Sequence, residues 1–350
     1  MYFCSVMNIY HLLKIMAVNR MPAPLKVLGL WGLHVSRRRL LGIYLDPVLA
    51  CNLRCRTCYF SDESQRQRYN GQRFSKTDLD KVERAFFHRA LKLQIGCGTE
   101  PTLYPDLPNL VRCGKRAGIP YISLTTNGQL IATGRVNLTE LVEAGLNEIT
   151  LSAHGMRAET YEYLMPGADF AHFEKLTGIL SEIKTTHPGF KIRLNFTVNS
   201  FNLHDLEAEV FWQTWQKVQP DIIQLRPVQK LGETAWTDFD LTPLKAAYDR
   251  TIGQIIAECR RRSIACIAPT PAQIDDVASK QDGVYALIED LTYCYLSPTD
   301  CYQDDFDLEN DTYESYHRRH HTGRKLFRMV FGNRAARTQN GIKKLNYTIQ

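Results

Sequence analysis

The chain has 350 residues, 44% hydrophobic and 23% charged, an ordinary soluble globular composition with room for one large α/β barrel plus an appendage, or for two domains. A net charge of +6 is modest for that length, so charge gives no reason to expect a nucleic-acid partner. Ten cysteines without a secretory signal speak against a disulfide scaffold and for a reducing cytoplasm.

Residues 1–15 are apolar but interrupted by Asn8, His11 and Lys14, and they lack the positive start and small-residue cleavage site of a signal peptide. Met16 and Met21 are alternative starts. The dense apolar run 25–35, followed by Arg37, Arg38 and Arg39, is too short to span a bilayer. It reads first as a helix closing one end of a barrel. The second reading is a helix lying on an anionic membrane surface, a peripheral contact that would make the protein membrane-associated. Residues 1–40 are therefore expected as an N-terminal helical extension.

From residue 41 strands and helices alternate. A strand over 41–45 delivers the chain into a cysteine loop. Ser75 to Asp78 has the form of a capping box, and Leu79, Val82, Ala85, Phe86, Ala90 and Leu91 continue a helical face. Further strands are expected over 93–95, 121–125, 148–152, 191–198 and 222–226. Helices are expected over 105–117, 138–144, much of 158–184 with a break at Pro166-Gly167, 206–218 and 244–261. Six such units without dinucleotide-binding glycines favour a partial (β/α)6 TIM-type barrel over a doubly wound sheet. The barrel takes residues 41–268. After residue 270 the pattern fades, and residues 269–350 are read as a small C-terminal appendage capping the barrel's open side. Its basic tail runs from Arg318 to Lys344 and is expected to end solvated.

In such barrels chemistry gathers at the C-terminal ends of the strands. Cys51, Cys55 and Cys58 fall there as C-x3-C-x2-C, followed by Tyr59 and Phe60. Three thiols in so tight a loop are not a disulfide framework. A four-ligand zinc site usually shows a second C-x2-C or a His pair, and none is near; three buried or zinc-binding cysteines remain the plainer reading. Three thiolates with no local fourth suit a [4Fe–4S] cluster with one iron open to a substrate or cofactor. The turn Gly98-Thr99-Glu100-Pro101 follows the second strand and Thr125-Thr126-Asn127-Gly128 ends the third, the latter on its plainer reading a common Asn-Gly turn. Ser152, Asn195 and Arg226 lie on the fourth, fifth and sixth strands. Arg226 offers a fork suited to a carboxylate, with a surface ion pair as the plainer reading.

These turns, in this order, resemble the radical S-adenosylmethionine (SAM) superfamily over about residues 41–226. The resemblance implies that Cys51, Cys55 and Cys58 ligate three irons of a [4Fe–4S] cluster, whose fourth iron binds the amino and carboxylate groups of SAM. It implies that Gly98, Thr99, Glu100 and Pro101 hold the amino group of the SAM methionine, with Thr99 where the family has a second glycine. Thr126 and Asn127 would lie near SAM or substrate, and Ser152, Asn195 and Arg226 would contact polar groups of SAM. Thr57 replaces an aromatic residue, so Tyr59 or Phe60 would supply the apolar wall. His154 is either a pocket residue or a structural one.

The resemblance further implies a flavodoxin- or ferredoxin-type electron donor. Reductive cleavage of SAM would give a 5′-deoxyadenosyl radical that abstracts hydrogen from the substrate. The branch resembled is that of molybdenum-cofactor synthases and SPASM-related peptide maturases, so a peptide is one expected substrate. A small metabolite, sugar or lipid precursor is the alternative, and a non-catalytic zinc-binding protein is the reading from another class. No catalytic residue is singled out beyond the cofactor contacts. Cys4, Cys97 and Cys113 are expected as buried free thiols. Cys259 and Cys266 are read onto a helix and a core strand, and Cys294 and Cys301 flank a Ser297-Pro298-Thr299 turn that brings them together. The dense cysteine run of a full SPASM domain is missing, so one cluster is expected.

Overall fold

Alternating burial marks the strands. In Lys191–Val198, Ile192, Leu194, Phe196 and Val198 are buried on one face, while Arg193, Asn195 and Thr197 turn half-buried to the other. The first face packs under the surrounding helices, and the second lines the inside of a curved sheet. This computed structural model describes residues 22–230, 232–275 and 283–331; Cys4, the alternative starts and the end of the basic tail lie outside them.

The strands are β1 (Leu41–Leu45), β2 (Ala90–Ile95), β3 (Tyr121–Thr126), β4 (Glu148–Ala153), β5 (Lys191–Val198), β6 (Ile222–Pro227), β7 (Ala265–Ile267) and β8 (Tyr293–Leu296). They form one parallel sheet in the order β7-β6-β5-β4-β3-β2-β1-β8. This is a partial TIM-type barrel, as expected, with a strand added at each edge. β8 comes from the segment read as an appendage and pairs with β1, Ile43 opposite Cys294.

Three local expectations change. Ala90 and Leu91 open β2 rather than continuing a helix. The helix Lys76–Phe86 stops, a 3-10 turn follows at Phe87–Arg89, and the Leu40 amide donates to the Arg89 carbonyl (2.8 Å), which starts strand pairing there. The helix expected over 206–218 is a 3-10 run, Ser200–Leu206, and a short helix, Ala208–Gln213. The helix expected over 244–261 is divided into Thr242–Ala246, a π-turn at Asp249–Gly253 and Gln254–Arg261. The Ser75 capping box and the helix Leu138–Ala144 appear as read.

The helix Ala23–Val35 buries Val27 and Leu30 and leads directly into β1, so it covers the N-terminal ends of the strands. Its Trp31 ring packs on Phe327 (5.7 Å) and Phe331 (6.4 Å) of the helix Thr322–Phe331. Among the described residues no helix is long and apolar enough to cross a membrane.

A polar floor closes the barrel beneath the strand ends. Glu148 on β4 is 1% exposed. It accepts from Arg193 Nε (2.9 Å) and Nη2 (3.1 Å) and from the Tyr121 hydroxyl (2.5 Å). Burial alone would raise its pKa; the charge and hydrogen bonds of Arg193, with Lys92 and Tyr121, outweigh this and hold it below the ordinary value.

Candidate active site

β1 ends in Leu45, and the next residue, Asp46, is fully buried. Its Oδ1 accepts from the Cys97 amide (2.7 Å) and Thr99 Oγ1 (2.9 Å). Its Oδ2 accepts from the Gly98 amide (3.1 Å) and the Tyr295 hydroxyl (2.9 Å). One carboxylate thus fastens the turn after β2 to the ends of β1 and β8. Sequence reasoning missed it. Its only signal is an acidic residue directly after a run of apolar strand residues.

At Gly98 a Cβ would stand 2.3 Å from the Tyr59 hydroxyl, which donates to the Gly98 carbonyl (2.7 Å). Glycine is required there by close approach rather than by φ. Thr99 is outside the left-handed region, which is why a β-branched residue is tolerated.

Glu100 is 2% exposed. Oε1 accepts from the Thr102 amide (3.1 Å), Thr102 Oγ1 (2.6 Å) and Thr126 Oγ1 (2.7 Å), and Oε2 from the Asn127 amide (2.8 Å). A carboxylate has about four acceptor positions, so Oε1 is saturated while Oε2 keeps capacity for one further donor. Burial pushes the carboxyl pKa up, and these donors oppose it. Asn127 Nδ2 also donates to Asn52 Oδ1 (2.9 Å), which ties the third turn to the cysteine loop.

The cysteine loop is held from both sides. The Arg54 amide donates to the Pro166 carbonyl (2.9 Å), and the Arg56 amide to the Leu164 carbonyl (2.9 Å). Backbone amides approach two sulfurs, Leu53 N to Cys51 Sγ and Phe60 N to Cys58 Sγ, each 3.4 Å. Burial pushes the Cys51 thiol up to about 12 and raises Cys55 and Cys58 as well. Thiolates in such a place need a cation, and coordination to a metal supplies one. Among the described residues no three His, Cys, Asp or Glu side chains gather closely enough for a single metal ion. The three sulfurs line one cavity.

Every expected site residue except Pro101 and Asn195 lines that cavity. Tyr59, Phe60, Ser152 and Arg226 are among its lining residues. Pro101 instead packs its ring against the space beside Gly96. Asn195 lies beside Ser152 in register, one inward-facing position below Thr197, which does reach the cavity. The Asn195 Oδ1 is buried with no hydrogen-bond partner. His154 is a pocket residue, its Nδ1 3.4 Å from Thr57 Oγ1. Burial, then the charge of Arg226, lowers its pKa to about 4, so the ring is neutral at physiological pH.

Two cysteine expectations are corrected. Cys97 is not a buried thiol: Asp46 holds its amide so that the side chain is exposed to the cavity. Cys266 lies half-buried on the edge strand β7 rather than in a core strand, beside Cys259. Cys113 is buried as expected, and Leu296 bridges Cys301 across the Ser297 turn. The Cys259–Cys266 and Cys294–Cys301 pairs belong to opposite edges of the sheet order.

A three-cysteine loop after β1 of a partial barrel, facing acidic and Asn-bearing turns, defines the radical SAM class, and residues 46–202 match the family model described as the radical SAM superfamily. Residues 46–202 thus match the domain of enzymes that use a [4Fe–4S] cluster and SAM. Among curated proteins it is similar to a probable GTP 3′,8-cyclase of Saccharolobus solfataricus, 33% identical over 197 residues, or 55% of this chain and 58% of that protein. It is also similar to a probable GTP 3′,8-cyclase of Metallosphaera sedula, 29% identical over 51% of this chain and 53% of that protein. The chain thus spans little more than half the length of these curated relatives. Among solved structures it resembles Streptococcus suis SuiB bound to S-adenosylmethionine (TM-score 0.55, 16% identity, 90% of this chain and 76% of that one). SuiB bound to precursor peptide SuiA gives a TM-score of 0.53 at 15% identity, over 81% and 67%. At such identities the likeness is one of fold.

Proposed function

We propose that this protein is a radical SAM enzyme that abstracts hydrogen from an organic substrate, for which a peptide is our preferred reading. The observation that carries the chemistry is the cavity shared by Cys51, Cys55, Cys58 and Glu100 at the C-terminal ends of the strands. When bound, the [4Fe–4S] cluster and SAM supply reductive sulfonium cleavage and hydrogen-atom abstraction. The three cysteines hold the cluster. Glu100 offers its remaining Oε2 position to the SAM ammonium, and Gly98 and Thr99 shape the turn around it. Arg226 and Ser152 bind polar groups of SAM, with Asn195 as the unpaired acceptor beneath. Tyr59 and Phe60 exclude water from the cysteine side, and the neutral His154 keeps positive charge off the wall.

The preference for a peptide rests on coverage. The fold likeness to SuiB extends over 90% of this chain, while the similarity to the cyclases covers 55%. A small metabolite such as a nucleotide is the competing substrate. The reading includes a cytoplasmic setting, a flavodoxin- or ferredoxin-type donor, a barrel over 41–268 and a cap over 269–350 that lends β8 to the sheet. The N-terminal helix is the element assigned to any peripheral membrane contact. Anaerobic incubation of reduced protein with SAM and GTP tests the substrate reading. We expect 5′-deoxyadenosine without loss of GTP, and stoichiometric GTP consumption would decide for the cyclase reading.

A further inference from the structure

A second cavity lies at the opposite pole of the barrel, at the N-terminal ends of β1 and β2. It is lined by the helices Ala23–Val35, Tyr313–Arg319 and Thr322–Phe331. His34, Arg37, Arg89, Glu314, Arg318 and Arg324 are on its wall. The charge there is one-sided. Glu314 is the only carboxylate on the wall, and its oxygens are taken by His88 (2.8 Å) and Arg89 (2.9 Å). Arg37, Arg318 and Arg324 have no acidic partner among the described residues. Arg89 is 1% exposed; its Nη1 donates to Glu314 (2.9 Å) and its Nη2 to the Leu33 carbonyl (3.5 Å), which leaves its Nε buried without a hydrogen-bond partner, as is His34 Nδ1. A buried donor without an acceptor costs free energy that a bound anion would recover. The helix Thr322–Phe331 begins at this cavity, so its first-turn amides and positive dipole end add to the donors. His317 shapes the wall without binding, because Tyr302 (2.8 Å) and Thr322 (2.9 Å) take both ring nitrogens.

The sequence shows the same polarity. Residues 1–45 and 315–350 contain fifteen of the 43 Lys and Arg and none of the 37 Asp and Glu. The two ends therefore carry +15 against −9 for the rest of the chain.

We propose that this cavity binds a phosphoryl group, with Arg89 as the buried anchor and Arg37, Arg318 and Arg324 as the rim. The rim guanidinium forks match phosphate oxygens in pairs, Arg89 adds its free Nε, and the charge of all four is fixed at any working pH. Leu25, Val35, Phe327 and Phe331 are exposed on two of the same helices. The phosphate can therefore come from a lipid headgroup or from a soluble phosphate ester. This site is separate from the radical chemistry and stands without it.

The test uses the full chain. Inorganic phosphate is titrated calorimetrically at constant ionic strength into wild type and into the R318Q/R324Q double variant, whose altered side chains are exposed. We expect saturable binding in the wild type, at least about tenfold weaker in the variant, with SAM affinity unchanged. Flotation with phosphatidylcholine vesicles containing phosphatidic acid separates the sources. Co-flotation that phosphate competes away, and that the variant loses, assigns the lipid headgroup; phosphate binding without flotation assigns a soluble ester. Absence of saturable phosphate binding, or equal affinity in a variant with unchanged circular dichroism, overturns the proposal.

Discussion

At Glu100 one oxygen is committed to Thr102 and Thr126, while the other takes the Asn127 amide and keeps room for a ligand. Glu100→Ala should therefore fail in two measurable ways. Loss of a charge-assisted bond should weaken SAM binding by about 1.5–3 kcal/mol with the cluster still assembled, read by anaerobic equilibrium dialysis. The orphaned buried donors should also lower the thermal midpoint of cluster-free protein. Unchanged SAM affinity would refute the binding role, and an unchanged midpoint would refute the tie between the turns. Gly98 is tested by Gly98→Ala, whose Cβ would collide with the Tyr59 hydroxyl. We expect a loss of about 1–3 kcal/mol in urea unfolding, from overpacking. Tyr59→Leu in the same chain should recover part of it; strict additivity of the two changes would show that the contact is not the cause.

Strands with clean alternation were legible because a period of two over five or more residues is hard to mimic; β5 and the helix Leu138–Ala144 match residue for residue. β8 was not legible. Its four residues follow a helix directly, and its partner β1 lies some 250 residues away, so no local pattern announces the pairing. The cysteine loop and the two turns were readable because their chemistry fixes their spacing. Asp46 and the cavity-facing Cys97 were not, because their roles come from strand ends meeting in space. The contact of the helix Tyr313–Arg319 with the barrel makes a pH prediction. Burial would raise the Glu314 carboxyl, but hydrogen bonds and charge from His88 and Arg89 hold it at about 2, below its ordinary 4.5. A depressed carboxylate pKa contributes stability that is present above about 4.5 and lost as pH falls toward 2. In cluster-free protein, the gap in urea midpoint between wild type and Glu314→Gln should be full at pH 6 and shrink between pH 4.5 and 2. A gap independent of pH would contradict this.

On the scale of the whole molecule, the barrel separates a cofactor end from a cationic end. The polar floor at Glu148 and Arg193 lies between them. Only the loop at Cys51, Cys55 and Cys58 is proposed to carry a cluster, because each of the other described cysteine pairs offers two thiols, too few for a cluster. Anaerobic reconstitution should therefore give about four irons per chain; about eight would require a second cluster. The most direct test of the central claim is production of 5′-deoxyadenosine from SAM by reduced, reconstituted protein, compared with the C51A/C55A/C58A triple variant. The account predicts turnover in the wild type and none in the variant, which should also hold essentially no cluster. Undiminished 5′-deoxyadenosine from the triple variant would contradict it.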